Sequence, residues 1–246
     1  MNPTILTYMI DQDKHVDEAT VVAVSDEHGR TAVFLDKTIF YPQGGGQAWD
    51  TGTITAQSGC FSVEEVRFAD GIVHHFGTFT QGTFAAGDVV RCAVDPDRRF
   101  LNSRLHSAGH LLDEAVKNLG FGWTPTKGIH YPDNAAVEYA GSLEDAEAVK
   151  AKLQAEIDRL IANGCAVCAT LVDAADLPRC ADFVPDNLPV GKPVRVVKMG
   201  REKGTPCGGT HVKDIAEIGL LTLRYVKAKK GNIKVAYALK ESGGAA

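Results

Sequence analysis

The sequence contains no long apolar segment. No apolar run approaches the roughly 20 residues that a membrane-spanning helix needs. The first residues, MNPTILTYMIDQDKHVDE, also lack the basic stretch followed by an apolar stretch that marks a secretory signal. We therefore expect a soluble cytoplasmic protein.

Cysteine is scarce, with six in 246 residues. Without a secretory signal, these cysteines are interpreted as reduced thiols or metal ligands rather than as a disulfide framework. Cys165 and Cys168 form a C-x-x-C pair, but the stretch CAVCATLV is typical of a strand, in which residues three apart point to opposite faces. A redox pair needs a helix N-terminus or a turn, so we expect both to be buried, unreactive thiols.

Two familiar catalytic motifs are absent. The glycines at 44–46 are not followed by G-K-[ST], which excludes a phosphate-binding P-loop there. A zinc metalloprotease carries Glu directly after the first His of H-E-x-x-H, and this chain has Ser107 at that position. Peptide hydrolysis of the metalloprotease type is therefore not expected.

Charge is distributed unevenly along the chain, whose net charge is −5. Residues 191–246 contain 12 Lys and Arg against 4 Asp and Glu, whereas the first 190 contain 14 against 27. A basic segment on an acidic protein indicates either a solvated charged face or a surface that binds a polyanion. The sequence leaves both readings open until a site requires a polyanion.

The first part of the chain is rich in short β-type runs separated by turn signals. ATVVAVSDEHG, RTAVFLDKTIFYPQGGG, GTITAQSG, FSVEEVRFADG and VVRCAVD follow one another without a long segment of helical period. Such spacing predicts a small antiparallel β-barrel. We assign it to residues 1–92 and the remainder, 93–246, to a second domain.

The second part combines helices and strands, so we predict an α+β domain. One helix begins at Asp95 and Pro96 and stops at Gly120, with apolar residues three and four apart between them. A second is predicted from a Ser142 cap to Gly164. Strands are expected at CAVCATLV, PVRVVKM, LLTLRYVKA and NIKVAYAL, the last two joined as a hairpin through KKGN.

Two residue pairs point to a metal site. His106 and His110 are four apart on the first predicted helix, so their imidazoles lie on one face about a turn apart. Cys207 and His211 have the same spacing in PCGGTHV, where Gly208 and Gly209 permit a tight backbone path. Mixed thiolate and imidazole ligands favour zinc over magnesium or calcium. Four protein ligands imply a structural ion, whereas three protein ligands with water or substrate in the fourth position imply a reactive ion. The sequence does not decide between the two.

These residues resemble a known family. LHSAGHLLD and PCGGTHV with the later EIG are similar to the editing domain of alanyl-tRNA synthetases and to their free-standing relatives, the AlaX proteins. The stretch FYPQGGGQAWDTG resembles the glycine-rich motif that longer members carry in a preceding β-barrel. The resemblance covers nearly the whole chain.

The resemblance implies a zinc-dependent hydrolase that removes a wrongly attached amino acid from alanine tRNA. Serine and glycine are the expected errors, because a pocket sized for alanine rejects them only weakly. The zinc positions implied by the match are His106, His110, Cys207 and His211. The glycine motif, Gly44, Gly45, Gly46 and Gln47, is expected near the editing pocket.

Two further expectations concern substrate contacts. Synthetase-borne editing domains usually have Gln before Lys-Gly, whereas this chain has Thr126, as some free-standing members do; its hydroxyl is a candidate for reading the serine side chain. Binding of tRNA would explain the basic segment, because RNA binding begins with neutralisation of the phosphates. The candidate tRNA-binding residues are Lys227, Lys229 and Lys230, followed by Arg98, Arg99 and Arg104 on the histidine helix.

Two alternative functions remain at this point. In the first, zinc only clamps the helix to the C-terminal loop, and the protein is a non-catalytic tRNA-binding module. In the second, the same fold hydrolyses a small-molecule ester or amide. An exchangeable fourth position on the metal favours a hydrolase, whether it acts on aminoacyl-tRNA or on a small molecule. Four protein ligands favour the clamp.

Overall fold

The computed structural model describes residues 1–184 and 193–240, which form two compact units. The first unit comprises Met1–Gly44 and Ala48–Leu101. The second comprises the short segment Gly45–Gln47 and the described residues from Asn102 onward. The domain boundary between residues 92 and 93 stays a prediction.

The first unit contains a closed antiparallel barrel, which confirms the prediction. Six strands follow one another around it in the order β2, β3, β7, β6, β5, β8, and β8 pairs with β2. The strands of this unit are β1 (Ile5–Leu6), β2 (Val16–Glu27), β3 (Arg30–Leu35), β4 (Lys37–Thr38), β5 (Gly52–Ala56), β6 (Gly59–Ala69), β7 (Ile72–Gly82) and β8 (Val89–Val94). The short strands β1 and β4 pair with each other in parallel.

The barrel interior is filled by alternate residues of its strands. In β6, Phe61 and Val63 face inward, and a register shift before Glu65 lets Val66 face inward as well. A bulge of this kind inserts one extra residue into the strand, and this changes which of the following side chains face the interior. Phe40 and Ile54 complete the centre of this core, and both are fully buried.

The second unit is α+β, as predicted. One sheet has the strand order β14, β15, β10, β9 and a smaller one has the order β11, β12, β13, with antiparallel neighbours throughout. The helices are α1 (Pro96–Asn118), α2 (Ala146–Asn163) and α3 (Leu177–Cys180), and residues 102–118 of α1 belong to this unit. The strands are β9 (Thr124–Ile129), β10 (Ala136–Ala140), β11 (Val167–Val172), β12 (Val194–Met199), β13 (Thr205–Pro206), β14 (Leu221–Lys229) and β15 (Asn232–Leu239).

Helix α1 begins where the sequence predicts. The side chain of Asp95 accepts hydrogen bonds from the backbone N–H groups of Asp97 and Arg98, and Pro96 occupies the first helical position. Gly120, with φ 67°, lies just past the end of the helix. These caps fix the helix that carries both histidines.

The start of α2 and the surroundings of the C-x-x-C pair differ from the prediction. Asp145, not Ser142, caps α2, because its carboxylate accepts from the N–H groups of Glu147 and Ala148. Cys168 is exposed and Cys165 is half-buried, so the expectation of two buried thiols was wrong. Four consecutive residues of β11 are exposed, Cys168 among them, so this strand buries neither face fully.

The hairpin of β14 and β15 forms as predicted. Lys229 and Asn232 are paired, and the two residues between them, Lys230 and Gly231, have φ values of 50° and 82°. Two consecutive left-handed residues form the type of two-residue turn that fits the twist of a hairpin. In β15, Ile233 and Val235 are buried, and α2 packs against β14.

Candidate metal centre

His106 and His110 lie on one face of α1, as their spacing predicts. Their ring centroids are 5.1 Å apart. His106 is buried, with 3% of its surface exposed, and His110 is half-buried. The helix therefore presents two imidazoles at the edge of the core of the second unit.

Cys207 and His211 lie on the loop that follows β13. A Cβ atom at Gly209 would lie 2.0 Å from Cε1 and 2.2 Å from Nδ1 of His106, so only glycine lets the loop pass this ring. A Cβ atom at Gly208 would meet no other atom within 4 Å. Neither glycine has a positive φ. The close approach of the loop to His106 thus depends on the missing side chain of Gly209 rather than on unusual backbone angles.

The structure brings all four predicted residues together. We call His106, His110, Cys207 and His211 the His/Cys group; one potential ligand atom from each lies within 4.8 Å of the others. The sulfur of Cys207 is 3.4 Å from Nε2 of His211 and 3.6 Å from Nε2 of His106. In a tetrahedral zinc site with Zn–N near 2.0–2.1 Å and Zn–S near 2.3 Å, the N···S separation is about 3.6 Å. These two distances match such a site, and the group could hold a metal ion.

Burial keeps the imidazoles of this group neutral. It lowers the pKa of His106 and His211 well below the ordinary value, and neighbouring histidines lower both further. Burial likewise lowers the pKa of His110 to about 4. Neutral imidazoles keep a nitrogen lone pair for a metal ion at pH 7.

The thiol of Cys207 behaves differently. Burial raises its pKa, although a hydrogen bond from the N–H of Gly209 and the positive charge of Arg195 oppose that shift. A metal ion that binds as a thiolate complex must therefore displace the thiol proton, and metal affinity is expected to rise with pH.

Hydrogen bonds hold the His211 ring. Its Nδ1 lies 3.1 Å from the hydroxyl of Ser107, and the same hydroxyl oxygen accepts from the backbone N–H of Val212 at 3.1 Å. Ser107 replaces the Glu of the metalloprotease motif, so this position holds a ring in place and offers no carboxylate base.

The glycine motif divides between the two units. Gly44 belongs to the first unit, where its carbonyl accepts from the hydroxyl of Tyr41. Gly45 and Gly46 have φ values of 53° and 78°, and Gln47 is completely buried. The side-chain oxygen of Gln47 lies 2.7 Å from Nδ1 of His106, so the end of the motif reaches the His/Cys group.

His130 is a buried neighbour of the His/Cys group. Its ring stacks on that of His106, with centroids 4.8 Å apart. Its Nδ1 is 2.6 Å from the hydroxyl of Tyr237, which donates to the backbone carbonyl of Leu105 at 2.8 Å. Because a carbonyl only accepts, His130 carries its proton on Nδ1. No local pattern singles out Tyr237, since it reads as an ordinary strand residue.

Thr126 lies on β9 and is exposed. Its hydroxyl donates to the backbone carbonyl of Glu138 at 3.0 Å, across the β9–β10 pair. The oxygen of that hydroxyl keeps its lone pairs for another donor. Its part in reading a serine side chain stays a prediction.

The cations of the basic segment lie on the β14–β15 hairpin. Lys227, Lys229 and Lys230 are exposed; Lys227 lies over the ring of Tyr225, and Lys229 pairs with Glu138 at 2.7 Å. Lys227 is also directly opposite Lys234 in the sheet. Their contact with RNA stays a prediction.

The three arginines of α1 are less accessible than expected. Arg99 is 2% exposed and holds the buried carboxylate of Asp50 together with the carbonyl of Ile39. Arg104 is 6% exposed, and its guanidinium donates to the carbonyl of Ile218. A phosphate would have to compete with these bonds, and contact of either arginine with RNA stays a prediction. Arg98 is half-buried and donates to the carbonyl of Trp49.

In the part of the chain that the structure describes, no helix has both the length and the apolar character needed to cross a bilayer.

Two family models match the chain. Residues 7–98 match the class II (A) tRNA synthetases, and residues 194–235 match the second additional domain of threonyl and alanyl tRNA synthetases. The second match includes Cys207 and His211 of the His/Cys group.

Several curated proteins are similar to the chain. The alanyl-tRNA editing protein AlaX-L of Pyrococcus horikoshii is 31% identical over 87% of this chain and 52% of its own length. An alanine–tRNA ligase of Kineococcus radiotolerans is 33% identical over 78% of the chain and 22% of its own. Alanine–tRNA ligase 1 of Lachnoclostridium phytofermentans is 30% identical over 94% and 27%. The chain thus spans about half the length of the first relative and less than a third of the two ligases.

Proposed function

The chain is AlaX-like in sequence over 87% of its length, and from this likeness and the His/Cys group we propose that it is a hydrolase that deacylates mischarged alanine tRNA in trans. The main substrate is serine attached to alanine tRNA, and glycine attached to the same tRNA is a second. We expect it to act in the cytoplasm, where tRNA is charged.

One observation supports this proposal above the others. The ligand atoms of the His/Cys group converge within 4.8 Å, and two of its residues, Cys207 and His211, lie in the stretch that matches the second additional domain of threonyl and alanyl tRNA synthetases. When bound there, zinc supplies a Lewis acid that polarises or positions an oxygen at the scissile ester. His106 and His110 would hold it from α1, and Cys207 and His211 from the loop after β13.

The reaction is the hydrolysis of an activated ester. A water oxygen attacks the carbonyl carbon of the aminoacyl group, the bond to the ribose oxygen breaks, and a proton passes to that oxygen. The products are the free amino acid and uncharged tRNA. Because the ester is already activated, a positioned water is enough, and we assign no carboxylate as general base.

The charge on one face of the four-stranded sheet supports tRNA as the partner, although Lys234 at its centre is only 9% exposed. A row of directly opposed residues crosses it from Lys127 to Glu138, Lys234 and Lys227. Residues paired in this way share a face of the sheet. Three lysines against one glutamate make that face electropositive, which suits a phosphate backbone.

One observation favours a second candidate. The group offers four protein ligands within a short distance of one another, and four protein ligands are typical of a closed, structural zinc site. In that case the ion clamps the loop to α1, and the protein binds tRNA without hydrolysing it.

A deacylation assay separates the two candidates. Alanine tRNA carrying serine, glycine or alanine is incubated with the protein before and after treatment with a zinc chelator. The hydrolase predicts rapid release of serine, slow release of alanine and loss of both activities with the metal. The clamp predicts tRNA binding with no release above the spontaneous rate. Cys165→Ala serves as the matched control for Cys207→Ala.

A further inference from the structure

We propose that Gln47 is a positioning residue for the metal centre: its side-chain oxygen holds His106 in the tautomer that leaves Nε2 free for the ion. This inference rests on the metal site of the proposed function. It concerns a residue that contributes no ligand atom to the His/Cys group.

The orientation of the Gln47 amide follows from its partners. One side-chain atom lies 3.0 Å from the backbone nitrogen of Thr210, which can only donate, so that atom is the oxygen. The other is then the nitrogen, and it donates to the hydroxyl oxygen of Thr210 at 2.9 Å. The hydroxyl of Ser103 donates to the same Thr210 oxygen at 2.8 Å.

This orientation determines the tautomer of His106. The oxygen of Gln47 is 2.7 Å from Nδ1 of His106, and because an amide oxygen only accepts, Nδ1 carries the proton. A neutral imidazole has a single ring proton, so Nε2 keeps its lone pair. Nε2 is the nitrogen that lies 3.6 Å from the sulfur of Cys207. The hydrogen bond that Gln47 accepts therefore selects the nitrogen that faces the metal centre.

The backbone holds Gln47 in place. The N–H of His130 donates to the carbonyl of Gly46 at 2.8 Å, and Gln47 forms a parallel β-bridge with His130. The His130 ring lies nearly parallel to that of His106, with 23° between their planes. A Cβ at Gly209 would lie 2.9 Å from the Gln47 oxygen, so this glycine also leaves room for the contact.

The tautomer is measurable in the metal-free protein. Long-range proton–nitrogen NMR of histidine-labelled protein distinguishes a proton on Nδ1 from one on Nε2, and His106→Asn identifies the His106 signals. We expect the Nδ1–H form in the wild type and a mixture of both forms in Gln47→Leu. In Gln47→Glu the carboxylate still accepts from Nδ1 and from Thr210 N, so the Nδ1–H form should persist.

Zinc affinity gives a second readout, measured by competition with a chromophoric chelator. Gln47→Leu should weaken zinc binding about 10- to 100-fold, the usual effect of losing a partner that orients a metal-bound histidine. Gln47→Glu should stay within a few-fold of the wild type. Gln81→Leu is the matched control, because Gln81 is exposed on the barrel strand β7.

Two results would overturn the inference. One is a wild-type His106 that carries its proton on Nε2. The other is a folded Gln47→Leu protein with unchanged tautomer and zinc affinity. The wild-type measurement needs neither zinc nor tRNA nor a Gln47 variant, so it stands if Gln47→Leu does not fold. A protein that shows the Nδ1–H form and binds zinc but releases no serine would refute the proposed hydrolase and leave this inference intact.

Discussion

The carbonyl oxygen of Gly46 accepts a hydrogen bond of 2.8 Å from the backbone N–H of His130. This contact ties the glycine motif to the end of β9, and it depends on close approach of two backbones. A Cβ at Gly46 would lie 2.4 Å from the carbonyl oxygen of Gly128, and φ at Gly46 is 78°.

Gly46→Ala should therefore be destabilising. Steric overlap with Gly128 and the left-handed φ both act against alanine, and we expect a loss of about 1–3 kcal/mol in the free energy of unfolding. Urea denaturation measures it. Gly44→Ala is the matched control, because a Cβ there would meet nothing closer than the Tyr41 hydroxyl at 3.6 Å. Equal stability of the two variants would show that Gly46 is an ordinary turn residue.

Thr126→Val tests whether the hydroxyl of Thr126 reads the serine side chain. The loss of one hydrogen bond is worth about 1 kcal/mol, so kcat/KM for the serine ester should fall about 5- to 10-fold. The rate on the alanine ester should not change, and Thr126→Ser should restore the serine rate. A parallel fall on both esters would assign Thr126 to the fold rather than to selection.

Reversing Lys227, Lys229 and Lys230 to Glu should weaken tRNA binding. Each lost phosphate contact lowers the salt dependence of binding by about one unit in the plot of log affinity against log salt. Filter binding at several salt concentrations measures both quantities.

The matched control for this triple variant reverses three exposed cations elsewhere, Lys14, Lys152 and Arg179. It makes the same change in net charge. If the control weakens binding as much as the hairpin variant does, net charge rather than the hairpin surface governs affinity.

The barrel should lose stability in mild acid because of His75. Burial lowers its pKa to about 4 from an ordinary 6.5. Between those values the unfolded chain binds a proton that the folded barrel does not, so stability falls as pH drops from 6.5 to 4. The contribution is about 1.4 kcal/mol per pH unit and about 3 kcal/mol in total.

Urea unfolding from pH 4 to pH 7 tests this. His75→Gln should reduce the slope of stability against pH by about 1.4 kcal/mol per unit. His28→Asn, at an exposed position, is the matched control. If His75→Gln keeps the wild-type slope of stability against pH, His75 does not resist protonation in the folded barrel.

Features with a local signal in the sequence could be predicted. The start of α1 at Asp95 and Pro96, the β14–β15 hairpin and the barrel all depend on short-range patterns of turn and apolar residues. The convergence of the His/Cys group was also predictable, because spacing fixes each pair internally and ligand type links the two pairs.

Features that depend on long-range contacts were missed or misplaced. The β9 segment, TPTKGI, is polar and contains Pro125, so its sequence does not predict a strand. In the structure it pairs with β10. No local pattern shows that Arg99 and Arg104 are buried, because the acceptors that hold them, the Asp50 carboxylate and the Ile218 carbonyl, are distant in the sequence. The bond from Gln47 to His106 joins residues 59 apart in the chain and leaves no pattern in either segment.

The central claim is that the His/Cys group holds one zinc ion through both nitrogen and sulfur. X-ray absorption at the zinc edge, combined with metal analysis, tests it most directly. We predict about one zinc per chain, with one sulfur near 2.3 Å and nitrogens near 2.0–2.1 Å. The sulfur signal should disappear in Cys207→Ala and persist in Cys165→Ala. A wild-type protein that takes up no zinc, or binds it without sulfur, would contradict the account.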